Sequence, residues 1–300
     1  MKNNRINVPA IIVGLILVVV IIVLVVVDSI KEANTYRFYD PYEKEHLIKK
    51  TVIDVQKPSK ESFEESTWER LESQILEKYF EEVKIKLKEK LGEYDNLNWE
   101  RLERTTLTPI EKFEGKNKDF SGAYFQSVLE TVFIPKSFES KPEIFLKKLL
   151  CHELIHCLTI QDGKATTMLM EGFTEYLAQE IYPYPEHMNY YMPIQFVKVY
   201  VSVYGLQKAI NICATDEFAD EIGQTINRPN AIYTIEPLFV ATENEGGFNV
   251  QSMDPIMDVL VHYSAKIKAN PEVIIELMNG YSHWFGKRKV EYFQKILERR

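Results

Sequence analysis

Cys151-His152-Glu153-Leu154-Ile155-His156-Cys157 is the stretch around which the rest of this chain is read. It has the form H-E-x-x-H. On an α-helix, residues four apart lie one above the other on the same face. His152 and His156 can therefore bring their imidazoles to one metal ion, with the Glu153 carboxylate beside it. Two histidines leave a metal site incomplete. A second stretch, Met170-Glu171-Gly172-Phe173-Thr174-Glu175-Tyr176, begins fourteen residues after His156 and supplies acidic candidates for a third ligand. With three protein ligands, a tetrahedral zinc ion keeps one position open for water. Zinc lowers the pKa of such a water toward ~7, and Glu153 is placed to accept its proton.

Glu171 and Glu175 are also four apart, hence on one helix face. One can bind metal while the other accepts the free N–H of a ligating imidazole. The assignment made from sequence is Glu171 to the metal and Glu175 to that hydrogen bond. Gly172, directly after Glu171, lets the two motif-bearing helices approach closely.

His152-Glu-Leu-Ile-His156 followed by Leu169-Met-Glu171-Gly-Phe-Thr-Glu175-Tyr-Leu resembles the gluzincins, zinc peptidases of the peptidase MA-like superfamily that use a glutamate as third ligand. The second block is similar to the Asn-Glu-Gly-Phe-Ala segment of the gluzincin aminopeptidases. The resemblance spans about residues 120–215. It implies an α+β, mainly helical fold: a thermolysin-like core of a small sheet and active-site helices at about 119–215, followed by a helical C-terminal part. It implies one zinc ion on His152, His156 and Glu171, with Glu153 as general base. It implies that the strand before the H-E-x-x-H helix, residues 122–134, lines the cleft and pairs with substrate backbone. Gluzincins also place a tyrosine or histidine beyond the third ligand to stabilise the oxyanion. Tyr191 is the preferred candidate, with Tyr190, His262 and His283 as alternatives. The Gly-x-Met-Glu-Asn motif that grips a substrate amino terminus in the aminopeptidases is missing, and Gly122-Ala123-Tyr124 stands near its place without the acid. Endopeptidase activity on a protein or peptide is therefore the expectation. The alternative is a catalytically weak, metallopeptidase-like sensor or envelope assembly factor, which would have no need of Glu153.

Composition agrees with an enzyme that ignores nucleic acid. The 300 residues are 45% hydrophobic and carry a net charge of −8, leaving no basic face for phosphates. Three cysteines do not make a disulfide framework, and Cys151 and Cys157 point to different helix faces. They read as small buried hydrophobes, with metal ligation the alternative.

Val8 to Val27 is uncharged and mostly Ile, Val and Leu, long enough to cross a ~30 Å hydrocarbon core. The expected order is a cytoplasmic tail at 1–7, one transmembrane anchor in the lipid bilayer at 8–27, a stalk at 28–58 and a metallopeptidase-like domain at 59–300. Lys2 and Arg5 favour a cytoplasmic N-terminus and an extracytoplasmic catalytic domain. An intramembrane protease is excluded, because Lys147 and Lys148 lie one turn before His152 in what reads as an amphipathic helix.

Periodicity predicts a helix from Ser59 to Leu91, one or two strands in 119–135, a helix from about 142 to 158, and another from Glu171 to about 181. Further helices are expected at about 194–213, 216–226, 254–268, 271–279 and 282–299.

Overall fold

A computed structural model describes residues 71–111, 122–159, 167–184, 190–244, 250–280 and 282–298. The tail, anchor and stalk, and residues 59–70 of the expected Ser59–Leu91 helix, lie outside these residues; within them that helix begins only at Gln74. Among the described residues no helix is long and apolar enough to cross a membrane.

The chain is α+β and mainly helical. Helix α1 (Gln74–Leu91) starts where the Ser73 hydroxyl accepts from the Leu76 N–H, and Lys88 and Lys90 complement the negative end of its dipole. Leu76, Tyr79, Phe80, Val83, Leu87 and Leu91 form its buried stripe. A short helix, α2 (Trp99–Arg104), leads into strand β1 (Thr106–Ile110). β2 (Tyr124–Gln126) and β3 (Thr131–Pro135) follow. The sheet order is β1-β3-β2, with β1 parallel and β2 antiparallel to β3. Central β3 is buried along its length. β1 is absent from the sequence expectations. Pro109 sits inside it, and a proline is tolerated there because β1 is an edge strand within the described sheet.

Helix α3 (Glu143–Thr159) carries the H-E-x-x-H, and α4 (Met168–Ile181) carries the second motif. Both match the expected spans closely. α3 is not amphipathic in place: every residue from Leu150 to Leu158 is buried, and so is Lys148. α1 and α2, β2, β3 and α4 surround it. An apolar helix enclosed on all sides has no solvent stripe to show.

The C-terminal part comprises α5 (Tyr191–Tyr204), α6 (Leu206–Ile212), α7 (Glu217–Thr225), α8 (Ala231–Asn244), α9 (Val250–Lys266), α10 (Pro271–Gly280) and α11 (Ser282–Glu298). Gly205 separates α5 from α6 at φ 79°, so the single helix expected over 194–213 is two. α8 is a helix that the sequence pattern does not announce, because Pro237 lies inside it. Tyr263 of α9 is fully buried beside Phe196 and Phe218, and Phe239 of α8 packs edge-on to Phe196 at 5.8 Å. Apolar side chains from α1 to α11 join in one continuous core.

Candidate metal centre

The two motifs meet because α3 and α4 lie face to face. Thr167 caps α4 through its hydroxyl, which accepts from the Met170 N–H. Glu171 therefore sits in the first turn, where the helix dipole favours a carboxylate. Glu171, Thr174 and Glu175 occupy one face and turn toward His152 and His156.

Three atoms converge. His152 Nε2, His156 Nε2 and Glu171 Oε2 are each 3.1 Å from the other two. These three residues are the group that can hold a metal ion among the described residues. Donors bound at 2.0–2.1 Å around a tetrahedral zinc stand about 3.3 Å apart, so the triangle has the right size. A neutral His152 cannot account for it. His152 Nδ1 is 3.0 Å from Glu175 Oε2, an acceptor, so a neutral His152 has a bare Nε2 facing the Glu171 oxygen. The cluster thus demands positive charge at its centre. Burial would lower the His152 pKa, but hydrogen bonds to Glu171 and Glu175 overcome it and push the imidazole up to about 10. Against the same burial penalty, the two imidazoles hold the Glu171 carboxyl well below the usual carboxylate range. The residues present fit a metal.

Glu153 lies beside the triangle. It is buried, and burial raises its pKa. Its Oε2 accepts a hydrogen bond from the Phe125 N–H of β2 at 2.8 Å. The strand before the motif helix is thereby tied directly to the carboxylate next to the metal ligands.

Glu175 is buried and takes the hydrogen bond from His152 Nδ1, as expected from its spacing. Lys148 donates to its other oxygen, and Gln179 Nε2 donates there too at 3.1 Å. Sequence reasoning missed both, although Lys148 stands four residues before His152 on the same face. Thr174 Oγ1 stands 3.4 Å from His156 Nδ1, so each histidine has a partner on α4.

Among the described residues, the ring stacked on a site histidine is that of Tyr190, one residue before the preferred Tyr191. Tyr190 has a left-handed backbone (φ 58°, ψ 32°) and stacks on the His152 ring at 5.8 Å and 19°. Tyr191 opens α5, half-buried against the core. His262 Nδ1 donates to the Asp258 carbonyl oxygen on its own helix at 2.8 Å. The His283 side chain lies outside the described residues. All three cysteines are free and buried. Cys157 Sγ contacts the Thr105 hydroxyl at 3.0 Å, and burial pushes its thiol up to about 11. All three are packed within the apolar core.

Gly172 serves a different contact from the one expected. A methyl group there would meet the first turn of α5, with Pro193 C at 2.7 Å and Ile194 N at 2.9 Å. The close approach is between α4 and α5, and it brings Tyr190 over His152.

Glu236 of α8 accepts from the Met168 N–H at the start of α4. Burial raises its carboxyl from 4.5 to about 7, with Glu171 and Asp216 adding to the shift and the Met168 hydrogen bond opposing it. The folded chain thus binds a proton here more tightly than the unfolded chain. The associated stability is complete below pH ~4.5 and is lost as pH rises through ~7. Metal-free Glu236→Gln is expected to match wild type at pH 4 and to be more stable by roughly 3 kcal/mol above pH 7.5. Urea unfolding in the presence of a chelator reads this; a constant difference at all pH values would refute it.

Comparison of the chain with protein-family models, with curated proteins and with solved structures finds no match.

Proposed function

We propose that this protein is a zinc-dependent peptidase of gluzincin type, acting as an endopeptidase on a protein or peptide outside the cytoplasm. Residues 8–27 anchor it in the lipid bilayer. The observation that carries the reading is the triangle of donors on His152, His156 and Glu171 with the Glu153 carboxylate held alongside by the Phe125 amide. A structural zinc site is closed by four ligands and needs no neighbouring base.

Zinc held by these three residues supplies Lewis acidity and lowers the pKa of water toward ~7. The remaining work falls to the chain. Glu153 takes the proton from the attacking water and returns it to the departing amine. Its buried position keeps bulk water from competing for that proton. β2 is an edge of the described sheet, and the Phe125 N–H points away from β3 toward Glu153. The Phe125 carbonyl shares that edge, because N–H and C=O of one strand residue face the same side. An extended substrate can add there as a further strand, which fits a protease that reads backbone. Glu175 orients His152, and Thr174 does the same for His156.

The test is metal content and peptide cleavage by the full chain in detergent. We expect about one zinc per chain, cleavage of a mixed peptide library within its sequences, loss of cleavage on chelation and recovery with added zinc. Glu171→Ala is expected to weaken zinc binding by at least ~100-fold. Full zinc retention by that variant would remove Glu171 from the ligand set. A zinc-loaded chain inert on every peptide would remove the peptidase reading.

A further inference from the structure

We propose that Lys148 and Gln179 are positioning residues of the metal centre, which lock the Glu175 carboxylate and through it hold the Nδ1–H and the aim of His152. The inference rests on the metal-centre reading above. It concerns two residues that touch no ligand atom.

Lys148, His152 and His156 follow each other at four-residue steps on α3. Glu171, Glu175 and Gln179 do the same on α4. The two rows face each other and run in opposite directions. Lys148 meets Glu175, which also takes a hydrogen bond from Gln179 on its own helix; His152 meets Glu175 and Glu171; His156 meets Glu171. The row of metal ligands thus continues one helical turn beyond the metal, into a place with no metal to bind.

What stands there is costly unless it has a task. Lys148 is 8% exposed and Glu175 3%. An ammonium moved from water into a protein interior loses several kcal/mol of solvation. A leucine at this position would fill the space without that cost. The pair is arranged for direction. Lys148 Nζ and Gln179 Nε2 both donate to Glu175 Oε1, and Oε2 alone faces His152 Nδ1 at 3.0 Å. With one oxygen clamped by two donors from two helices, the carboxylate cannot rotate about its terminal bond. A carboxylate facing an ammonium accepts at both oxygens, so Nδ1 of His152 must be the donor, which leaves the Nε2 lone pair for a metal. That lone pair is the one directed at His156 Nε2 and Glu171 Oε2.

A plain structural ion pair between α3 and α4 would affect folding but not the imidazole. The experiment separates the two. Zinc affinity of the full chain is measured by competition with a chromophoric chelator for wild type, Lys148→Met and Gln179→Leu. The ring nitrogens of His152 are followed by long-range ¹H–¹⁵N NMR on histidine-labelled protein. Lys148→Met is expected to bind zinc about 10–100-fold more weakly, and Gln179→Leu several-fold more weakly. In both, the Nδ1–H signal of zinc-bound His152 should lose its strong hydrogen-bond shift and exchange faster with water. Gln179→Leu leaves every charge in place, so it reads the clamp even if Lys148→Met does not fold. Wild-type zinc affinity and an unchanged His152 Nδ1–H signal in Gln179→Leu would overturn the clamp and leave the metal site standing. A wild-type chain that takes up no zinc would overturn both.

Discussion

Glu153→Gln is expected to keep its zinc and lose peptide cleavage by about a thousandfold. The substitution is nearly isosteric, and the amide oxygen of Gln can still accept from the Phe125 N–H that holds Glu153 at 2.8 Å. The local geometry is therefore preserved, and the three ligand side chains are untouched. What disappears is the capacity to take up and release a proton. General acid–base catalysis by a positioned side chain contributes 10²–10⁴-fold, and here one carboxylate performs both transfers. Metal analysis and kcat on one cleaved peptide, measured on the same preparation, check the prediction. Equal rates with equal zinc would show that Glu153 is not the base.

Gly172→Ala is expected to destabilise the chain by about 2–3 kcal/mol and to weaken zinc binding with it. Two effects oppose each other. Alanine gains up to ~1 kcal/mol over glycine in a helix interior. Against this, the new methyl would lie 2.7 Å from Pro193 C and 2.9 Å from Ile194 N. These are backbone atoms, so relief requires the first turn of α5 to move. Overpacking a tight contact costs 1–3 kcal/mol, occasionally more. The steric cost prevails. Because Glu171 is the adjacent residue and Tyr190 lies at the start of α5, the shift reaches the metal ligands. Denaturant unfolding of metal-free protein and the chelator competition report the two consequences separately. A variant as stable as wild type would mean that α4 and α5 do not approach as closely as described.

The described fold brings His152, His156 and Glu171 together at 3.1 Å, from the helix faces that four-residue spacing leads one to expect. Helix periodicity is local, and a four-residue step on each helix brings ligands to one face whatever the surroundings. The same local rule put Glu175 on the face that carries Glu171. It failed where tertiary contacts decide. β1 is too short and carries Pro109, so only its pairing with β3 makes it a strand. α8 contains Pro237, and its burial against α7 and α9 outweighs the missing hydrogen bond. α3 reads as amphipathic because Lys147 and Lys148 look like a solvated turn. In the fold Lys148 points inward, since Glu175 offers the one partner that makes burial of its charge tolerable.

The choice between Tyr190 and Tyr191 shows the same limit. Neighbouring tyrosines are equivalent by composition, and no period distinguishes them. The left-handed backbone at Tyr190 and the proximity of α4 to α5 at Gly172 place the Tyr190 ring on His152.

Residue types and spacing laid out the chemistry on offer: two imidazoles and three carboxylates on two helices, and an apolar run of membrane-spanning length at 8–27. Those features depend on residue type and on spacing within one helix, which covalent geometry alone sets. The tertiary structure decided which helix faces meet, which of two adjacent rings covers the site, and what stands behind Glu175. These depend on contacts between residues far apart in the chain, whose energies are settled only when the whole core is packed.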